Sequence, residues 1–446
     1  MRVMDRRHFI AGSLASVAVP ALAAPLSNYG LDAAQFGVRP GAPDDQTAKL
    51  QRAIGEATRT RAPLVLAPGV YRVGGLQLWT GAQLVGVRGA TFLTFTGGNS
   101  LVSAENSDAV TLSGLTFQGG NGKLPDNRGL VHCSTARGLR ITDCEVRNAG
   151  GNAIMLEQCD GAVTGTTIID AADNALLATD SRGLVVSSNV IRGSGNGGIR
   201  IFQSDKRHDG TIVADNRIED THARAGGDGQ NGNAINVFRA GNVIVRGNII
   251  RNAAFTAVRG NSASNIQIVG NNCSALGEVA IYSEFEFENA VISDNVVDGA
   301  QIGISVANFK EGGHRAVVRG NIVRNVGARR PGTPPEFAGI GIGVEADTAV
   351  TGNVIETATR AGIRAGWGPY LRNVTINGNV VRDADAGIEV SVVSGGGDAN
   401  ITGNIITGSK RGAILGMEWA KAVTGDLAKE GAARYPQLTI ANNQTG

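Results

Sequence analysis

Two glutamates are the strongest candidates for acid–base chemistry in this 446-residue chain. A phrase of one small residue followed by Ile or Val recurs along the sequence, and aligning its copies places Glu284 and Glu345 in one column, two copies apart. If each copy is a strand of a stacked repeat, about 9 to 10 Å separates their backbones. Inverting glycosidases hold two carboxyl groups ~6.5 to 9.5 Å apart, with a water between them. The pair predicts a glycoside hydrolase, with Glu286 as the alternative partner of Glu284.

The same alignment predicts an outward-facing stripe of side chains that could bind a substrate. Besides the glutamates it contains Arg200, Asn236, Arg259, Tyr282, Asn261, Asn308, Arg364 and Glu389. Arg259 could instead be the base of a lyase acting on a uronate, whose carboxylate an arginine or calcium would neutralise. Calcium in a lyase aside, we expect no cofactor, and no His or Cys cluster has the spacing of a metal site. Arg and Glu are equally typical of an ordinary solvated sheet face.

Loop length favours a binding site over a solvated face. Residues 219–233 and 325–339 form the two longest segments that lead into the repeated phrase, and they belong to copies four repeats apart. Their bases would stand ~19 Å apart, so the loops would wall a groove of the size of a sugar oligomer. Tyr282, Phe238 and Trp367 offer rings for sugar faces. Alternating Glu and Phe over residues 284–288 predict one extended strand with the carboxylates outward.

A second repeated phrase, ending in Asn, determines the fold. Apart from the final interval, its copies recur about every 22 to 32 residues, which is the period of one solenoid turn. The recurring residues are Asn189, Asn216, Asn248, Asn271, Asn295, Asn321, Asn353, Asn379, Asn404 and Asn443, with Cys144 and Thr166 at the same position in earlier copies. Short runs with period-two alternation predict strands. A side-chain amide both donates and accepts, so stacked Asn residues predict an internal ladder.

Three strands per coil with an Asn ladder at the shortest turn resemble the pectate-lyase-like superfamily. The resemblance implies an all-β, right-handed parallel β-helix, with a substrate lying across the strands that hold the small–Ile phrase. The segment Asp44-Asp45-Gln46-Thr47 before an amphipathic stretch resembles that superfamily's N-terminal capping helix. The chain also begins with an arginine pair, Arg6-Arg7, of the kind found in twin-arginine signals. Such a signal on a short Gly-Asn β-helix resembles, more narrowly, a family of twin-arginine-translocated repeat proteins.

The first residues predict export. Arg6 and Arg7 precede a short apolar stretch, residues 11–22, that is too brief to span a bilayer, and Ala23 ends a peptidase-like motif. We expect recognition by the twin-arginine translocation machinery, cleavage near Ala23 and a bacterial periplasmic or secreted product. No later segment is apolar enough to cross a membrane. The predicted organisation is a signal at 1–23, a cap at 24–75, a β-helix at 76–416 and a C-terminal cap at 417–446.

Composition supports a body made of turns and short strands. The chain has 64 Gly, 12 Pro and 4% aromatic residues, with a formal net charge of +2. Near neutrality argues against nucleic acid as a partner. Cys133, Cys144, Cys159 and Cys273 lack the spacing of a metal site, so they are either buried ladder residues or disulfide-bonded.

Two classes of function fit these observations. The first is a protein that binds or cleaves a polysaccharide, as a hydrolase or a lyase, in a groove across the small–Ile strands. The second is a non-catalytic envelope or surface protein, either glycan-binding or purely structural. The sequence lacks the named motifs of polygalacturonases and of alginate epimerases, which favours the second class, whereas the predicted walled groove favours the first.

Overall fold

The computed structural model describes residues 30–227, 229–328 and 333–446. Three sheets of 16, 15 and 15 strands run along the molecule, and between its two ends every third strand of the chain returns to the same sheet. Each circuit of three strands therefore stacks on the circuit before it. This architecture confirms the parallel β-helix that the repeats predict.

The three sheets are named here by their place in the coil. The leading sheet, whose strands run into the ladder residue, contains Leu31–Asp32, Leu64–Val65, Gln83–Val85, Thr111–Ser113, Leu139–Thr142, Gly161–Thr164, Val185–Ser187, Ile212–Ala214, Ile244–Arg246, Ile266–Val269, Glu288–Ser293, His314–Arg319, Thr348–Thr351, Val374–Asn377, Ala399–Thr402 and Leu438–Ala441. The trailing sheet, whose strands follow the ladder residue, contains Gly69–Val73, Thr91–Phe95, Thr116–Gln118, Glu145–Ala149, Thr167–Ala171, Val190–Ser194, Arg217–Thr221, Ile249–Ala253, Asn272–Ser274, Val296–Ala300, Ile322–Val326, Val354–Ala358, Val380–Arg382, Ile405–Thr407 and Gln444–Thr445. The front sheet, whose strands carry the small–Ile phrase, contains Leu76–Gln77, Val102–Glu105, Gly129–Ser134, Asn152–Glu157, Asn174–Thr179, Gly197–His208, Asn233–Gly241, Val258–Asn261, Val279–Glu284, Ile302–Val306, Ile340–Val344, Ala361–Ala365, Ala386–Ser391, Gly412–Glu418 and Lys421–Asp426.

The small residue of the front-sheet phrase has a steric cause. A Cβ added to Gly303 would lie 2.4 Å from the carbonyl oxygen of Gly341, and one added to Gly341 would lie 2.4 Å from that of Gly362. The backbones of adjacent coils approach too closely here for a larger side chain. The following Ile, such as Ile304, points into the core and is fully buried.

The Asn ladder lies inside the coil, as predicted. Asn295 is fully buried, and its Nδ2 donates to Asn321 Oδ1 at 3.0 Å and to the Ile268 carbonyl at 2.9 Å. Its own Oδ1 accepts the backbone N–H of Asn271 at 2.9 Å. The preceding Asp294 has a φ of 60°, which turns the chain between the two sheets. Each amide is thus satisfied by the coils above and below it.

Short helices accompany the two ends of the stack. Helix α1, Thr47–Thr60, buries Leu50 and Ile54 against the first coils, and Asp45 accepts the backbone N–H of Thr47 at 2.8 Å. Helix α2, Leu427–Glu430, follows the antiparallel strand Lys421–Asp426. The remaining helical turns, of the 3₁₀ type, are Ala33–Phe36, Phe309–Glu311 and Pro335–Phe337. Stacked strands extend on both sides of the predicted limits at 76 and 416.

The four cysteines are buried and unbonded, which agrees with the ladder alternative rather than disulfides. Among the described residues, no helix is both long and apolar enough to cross a bilayer. The predicted signal at residues 1–23, with Arg6 and Arg7, lies outside the described residues.

Candidate functional site

The front sheet places the predicted stripe in register. Strand pairing joins Arg200 to Asn236, Asn236 to Arg259 and Arg259 to Tyr282 on successive coils. The same column continues through Ser305, Gly343, Arg364 and Glu389. The alignment of the small–Ile phrases therefore matches the register of the strands in the structure.

The charged side chains of this column, and Glu284 in the next column beside Asn261, are too buried for an ordinary solvated face. Arg200 and Arg259 are each 8% exposed, Arg364 is 7% exposed, Glu284 is 2% exposed and Glu389 is fully buried. Burying a charge is unfavourable unless a partner or a function offsets the cost. The solvated-face alternative is thus wrong, and each buried charge has to be explained by its partner.

The buried side chain of Glu284 forms an ion pair with Arg259. Its Oε1 accepts Nε of Arg259 at 2.5 Å and Nδ2 of Asn261 at 2.9 Å. Burial raises the pKa of Glu284 above its usual value, while Arg259 acts to lower it. A guanidinium held against a carboxylate is a poor base, because the pairing stabilises its protonated form. The geometry therefore gives no support to Arg259 as a lyase base.

Glu345 occupies a different environment. It is half-buried, and its Oε2 accepts the backbone N–H of Phe309 at 2.7 Å. Burial raises its pKa to about 7, opposed by that hydrogen bond and assisted by the charge of Glu311. A carboxyl group that titrates near neutrality can donate or accept a proton under ordinary conditions.

Glu345 lines a cavity of about 280 Å³, here called the Glu345 cavity. Polar groups on its walls include Ser305, Asn308, Tyr282 and Arg364, and apolar walls include Phe337 and Trp367. The Phe337 and Trp367 ring centroids are 5.4 Å apart, and the Arg364 guanidinium lies 5.3 Å from the Trp367 centroid. Within the described chain, the buried Oδ1 of Asn308 has no hydrogen-bond partner. The cavity thus combines aromatic rings with unsatisfied polar capacity, as small-molecule sites do.

A second cavity, the Arg259 cavity, adjoins the first. It has a volume of about 320 Å³ and is lined by Phe202, Gly229, Gln230, Asn236, Phe238, Arg259 and Asn261. The Phe202 and Phe238 rings meet edge to face at 5.5 Å. Asn236 is 4% exposed, and no described residue bonds its Oδ1. Because Arg259 and Tyr282 are register partners, the two cavities lie on neighbouring coils.

Both long loops are tied to the front sheet by its buried arginines. In the first loop, Asn231 Oδ1 accepts Nη2 of Arg200 at 2.6 Å. In the second, the Glu336 carbonyl accepts Nη1 of Arg364 at 2.7 Å. The described parts of residues 219–233 and 325–339 therefore fold onto the strand face, where the sequence predicted walls. Residues 228 and 329–332 lie outside the described chain.

Four predicted site residues line neither cavity, namely Arg200, Glu284, Glu286 and Glu389. The extended strand expected over residues 284–288 is wrong, because Phe285 adopts a φ of 49° and the chain turns there. Glu286, beyond this turn, is exposed and is neither a partner of Glu284 nor part of either cavity lining.

Glu389 is enclosed instead by three arginines, with Arg364 at 2.7 Å, Arg411 at 2.9 Å and Arg360 at 3.3 Å. It is thus closed to solvent and positions Arg364.

Sequence reasoning missed an aromatic cluster beside the Glu345 cavity. Trp419 lies 5.6 Å from Trp367 and 6.5 Å from Tyr370, measured between ring centroids, and it is 47% exposed. Trp419 belongs to the turn between Gly412–Glu418 and Lys421–Asp426, where the repeat is broken. No copy of the phrase aligns there, so the sequence carried no signal for it.

Within the described residues, no group of three His, Cys, Asp or Glu side chains has the arrangement of a metal site.

Seven predicted site residues line the two cavities. Glu345, Tyr282, Asn308 and Arg364 line one, and Arg259, Asn236 and Asn261 line the other. Glu284 accepts hydrogen bonds from Arg259 and Asn261, and Arg200 donates to Asn231 of the first long loop.

Comparison with known proteins identifies the architecture. A family described as "Right handed beta helix region" matches residues 79–218, 163–325 and 206–369. No curated protein sequence matches the chain. Pre-mature gene product 12 of bacteriophage phi29 is similar in structure, with a TM-score of 0.54 and 14% identity over 88% of this chain and 56% of the phage protein.

Two further structures are more distant. ORF18 of Geobacillus virus E2 has a TM-score of 0.43 and 16% identity over 63% of this chain and 57% of the viral protein. An α-1,3-glucanase catalytic unit from Streptomyces thermodiastaticus has a TM-score of 0.43 and 15% identity over 94% of this chain and 68% of the enzyme. The chain thus spans little more than half of either viral protein, and the likeness to the phi29 protein shows a shared fold.

Proposed function

This chain belongs to the right-handed β-helix family, and from that premise we propose that its front sheet binds an oligosaccharide across the Arg259 and Glu345 cavities, with Glu345 as the acid–base group. One observation carries the proposal. Glu345, whose pKa burial raises to about 7, lines a cavity whose other walls include Phe337 and Trp367. Such a cavity offers a proton donor beside an aromatic surface.

The lining matches the chemistry of a sugar. A sugar ring has an apolar face of C–H groups, which can pack on an aromatic ring, and an edge of hydroxyls that donate and accept hydrogen bonds. Trp367 and Phe337 supply the rings in the Glu345 cavity, while Ser305 and Asn308 supply polar partners. The unbonded Oδ1 atoms of Asn308 and Asn236 would each accept a hydrogen bond from a sugar hydroxyl.

Glu345 would act as a general acid at a glycosidic oxygen. In its neutral form it can donate a proton to a departing alkoxide, and after departure it can take a proton from water. Hydrolysis by a carboxyl pair would also need a second carboxylate at the sugar. Glu284 is the nearest candidate along the column, yet it lines neither cavity and is paired with Arg259.

That pairing favours a second candidate function, a non-catalytic glycan-binding protein. With Glu284 neutralised, Glu345 is the sole carboxylate among the described residues that line the two cavities. Binding and catalysis share one site in this proposal, and they differ only in whether a product forms.

A screen of the purified protein against plant and bacterial-envelope polysaccharides tests both. Binding, new reducing ends and the absorbance of unsaturated uronates are measured in parallel. We expect Trp367→Ala to weaken binding about tenfold or more, because it removes the ring that packs on the sugar. Trp79→Ala is the control, since Trp79 is 42% exposed and follows Leu76–Gln77, five front-sheet strands before the one that holds Phe202.

Glu345→Gln separates the two candidates. If the protein is an enzyme, the variant retains binding and loses turnover, because the side chain keeps its shape but cannot transfer a proton. If the wild type binds glycan without forming product, the non-catalytic candidate stands. A wild type that binds none of the polysaccharides contradicts the proposal as a whole.

We also propose export through the twin-arginine pathway, on the strength of Arg6 and Arg7. Replacing both with Lys should leave the protein in the cytoplasm, whereas the wild type should reach the periplasm or medium. Cell fractionation with an antibody to the β-helix measures this. Equal distribution of the two proteins would contradict a twin-arginine signal.

A further inference from the structure

An aliphatic stripe runs along the trailing sheet, on a different face from the cavities. Its members begin five successive strands of that sheet and are Val296, Ile322, Val354, Val380 and Ile405. Strand pairing holds them in one column. Val296 is half-buried, and the others are 46%, 42%, 37% and 42% exposed in chain order. Such a run of apolar side chains facing solvent on consecutive coils is a feature of interaction surfaces.

A column of alternating charge lies beside this stripe. Two residues further along the same strands are Asp298, Arg324, Glu356 and Arg382, again in register. Within the sheet, Arg324 pairs with Asp298 at 2.7 Å and Arg382 pairs with Glu356. The order along the helix axis is therefore negative, positive, negative, positive.

We propose that this face binds a second copy of the chain, with the two β-helices antiparallel. A two-fold axis that lies in the interface and is perpendicular to the helix axis reverses the order of the coils but keeps each column opposite itself. In the stripe, Val296 faces Val380 of the second copy and Ile322 faces Val354 of the second copy, while Ile405 faces Asn272. Asp298 faces Arg382 of the second copy, and Arg324 faces Glu356 of the second copy. Every charge meets its opposite without any rearrangement.

The other simple arrangement fails on the same residues. A two-fold axis parallel to the helix axis makes the rods parallel, and no position of that axis brings opposite charges together. Along the stripe, it moves the two charged columns to opposite sides of the contact; along the charged column, it places each charge against its own copy. Between the columns, it places the aliphatic stripe against the charges. Burying the charges against apolar side chains would leave them without partners across the interface. The residues that flank the charged column, Ser274 and Thr407, also face each other in the antiparallel dimer. Both are neutral and polar, so neither end places like charges together.

The size of the face sets the strength of the contact. Five strands span ~19 Å along the axis, a modest area beside the ~800 Å² per partner of a standard interface. We therefore expect a weak dimer that forms as concentration rises. The front sheet stays open in it, so the proposal does not depend on the proposed function.

Sedimentation velocity of the full chain from about 1 to about 200 µM measures this association. The wild type should move from monomer to dimer over that range. Val380→Asp should weaken the dimer about tenfold or more, since the substitution occurs twice in each dimer and buries a charge. Val185→Asp is the matched control, because Val185 has the same exposure of 37% but lies on the leading sheet.

Charge exchange tests the antiparallel order. Arg324→Glu should weaken the dimer about tenfold, because two like-charged contacts with Glu356 replace two ion pairs. Adding Glu356→Arg should restore association. In the double variant, position 324 carries the same charge as Asp298, and position 356 carries the same charge as Arg382. These two like-charged pairs lie within each sheet, so the restored association cannot come from contacts inside one sheet. A chain that stays monomeric throughout, equal effects of Val380→Asp and Val185→Asp, or a double variant as weak as the single one would each overturn the proposal.

Discussion

The Asn ladder and the front-sheet column are both stacks of buried polar side chains, yet they are built differently. The ladder repeats one neutral residue from Asn189 to Asn443, with the same hydrogen bonds on each coil. The front-sheet column changes residue at every coil and contains buried charges such as Arg259 and Glu389. An amide can stack on its own copy because it donates and accepts, whereas a charge cannot. A polar residue repeated on every coil therefore indicates a role in stability. A column whose residue changes from coil to coil indicates a specific site.

The largest expected effect comes from a buried charge of the column. Replacing Glu389 by Gln leaves Arg360, Arg364 and Arg411 around a neutral group. We expect the free energy of unfolding to fall by about 4 kcal/mol, because breaking a buried ion pair strands the remaining charge. Urea denaturation measures it.

Glu288→Gln is the control for this variant. Its carboxylate pairs with Arg315 on the surface, so the change should stay within about 0.5 kcal/mol. Equal losses in the two variants would show that the enclosed cluster around Glu389 is not special, and the contrast with the ladder would weaken.

The ladder should tolerate one interruption slightly better. Asn295→Leu removes the acceptor of the Asn271 backbone N–H and the donor to the Ile268 carbonyl, both of them buried. We expect a loss of about 3 kcal/mol, from buried groups left without partners. Asn400→Leu provides the control, because Asn400 is a solvent-facing residue of the leading sheet. An unchanged unfolding midpoint for Asn295→Leu would contradict the role given to the ladder.

Sequence alone predicted the repeated part of the molecule and the register of the column. Asn295 and Ile304 recur at fixed places in each coil, so their copies identify each other. The burial of Glu389 could not be predicted in this way, because it depends on arginines of other coils. The turn at Phe285 recurs at Ser262 and Asn308, at the same position of the neighbouring coils, so the repeat did carry a signal for it, which the alternating Glu and Phe concealed. Trp419 lies in a segment without a copy, and only the folded chain brings it to Trp367.

A pH-dependent effect separates Glu345, which lies in the column of Glu284, from the charges of the front-sheet column. Burial raises its pKa from 4.5 to about 7, so between these values the folded state binds more protons than the unfolded state. Stability contributed by the neutral carboxyl is present below pH 4.5 and lost as pH rises towards 7.

Relative to Glu345→Gln, the wild type should therefore lose about 2 to 3 kcal/mol between acid and slightly alkaline buffer. Denaturation of both proteins at several pH values measures this difference. Glu418→Gln, at an exposed glutamate, should parallel the wild type. A constant difference between the wild type and Glu345→Gln would mean that Glu345 is ordinarily ionised and is not suited to donate a proton.

The smallest expected effect comes from lengthening the Asn ladder by one residue. Thr166 occupies a ladder position one coil before Asn189, and its backbone N–H already donates to Asn189 Oδ1 at 2.9 Å. Thr166→Asn would add a side-chain donor to the same oxygen, as the next coils have, and should raise the free energy of unfolding by about 0.5 to 1 kcal/mol. Thr166→Val, which removes the hydroxyl and adds no amide, should not stabilise. A neutral ladder can be lengthened by copying its residue, whereas copying Arg259 onto the next coils would only add unpaired charge. If Thr166→Asn proves no better than Thr166→Val, the ladder is not extendable, and uniform repetition would not be the source of its stability.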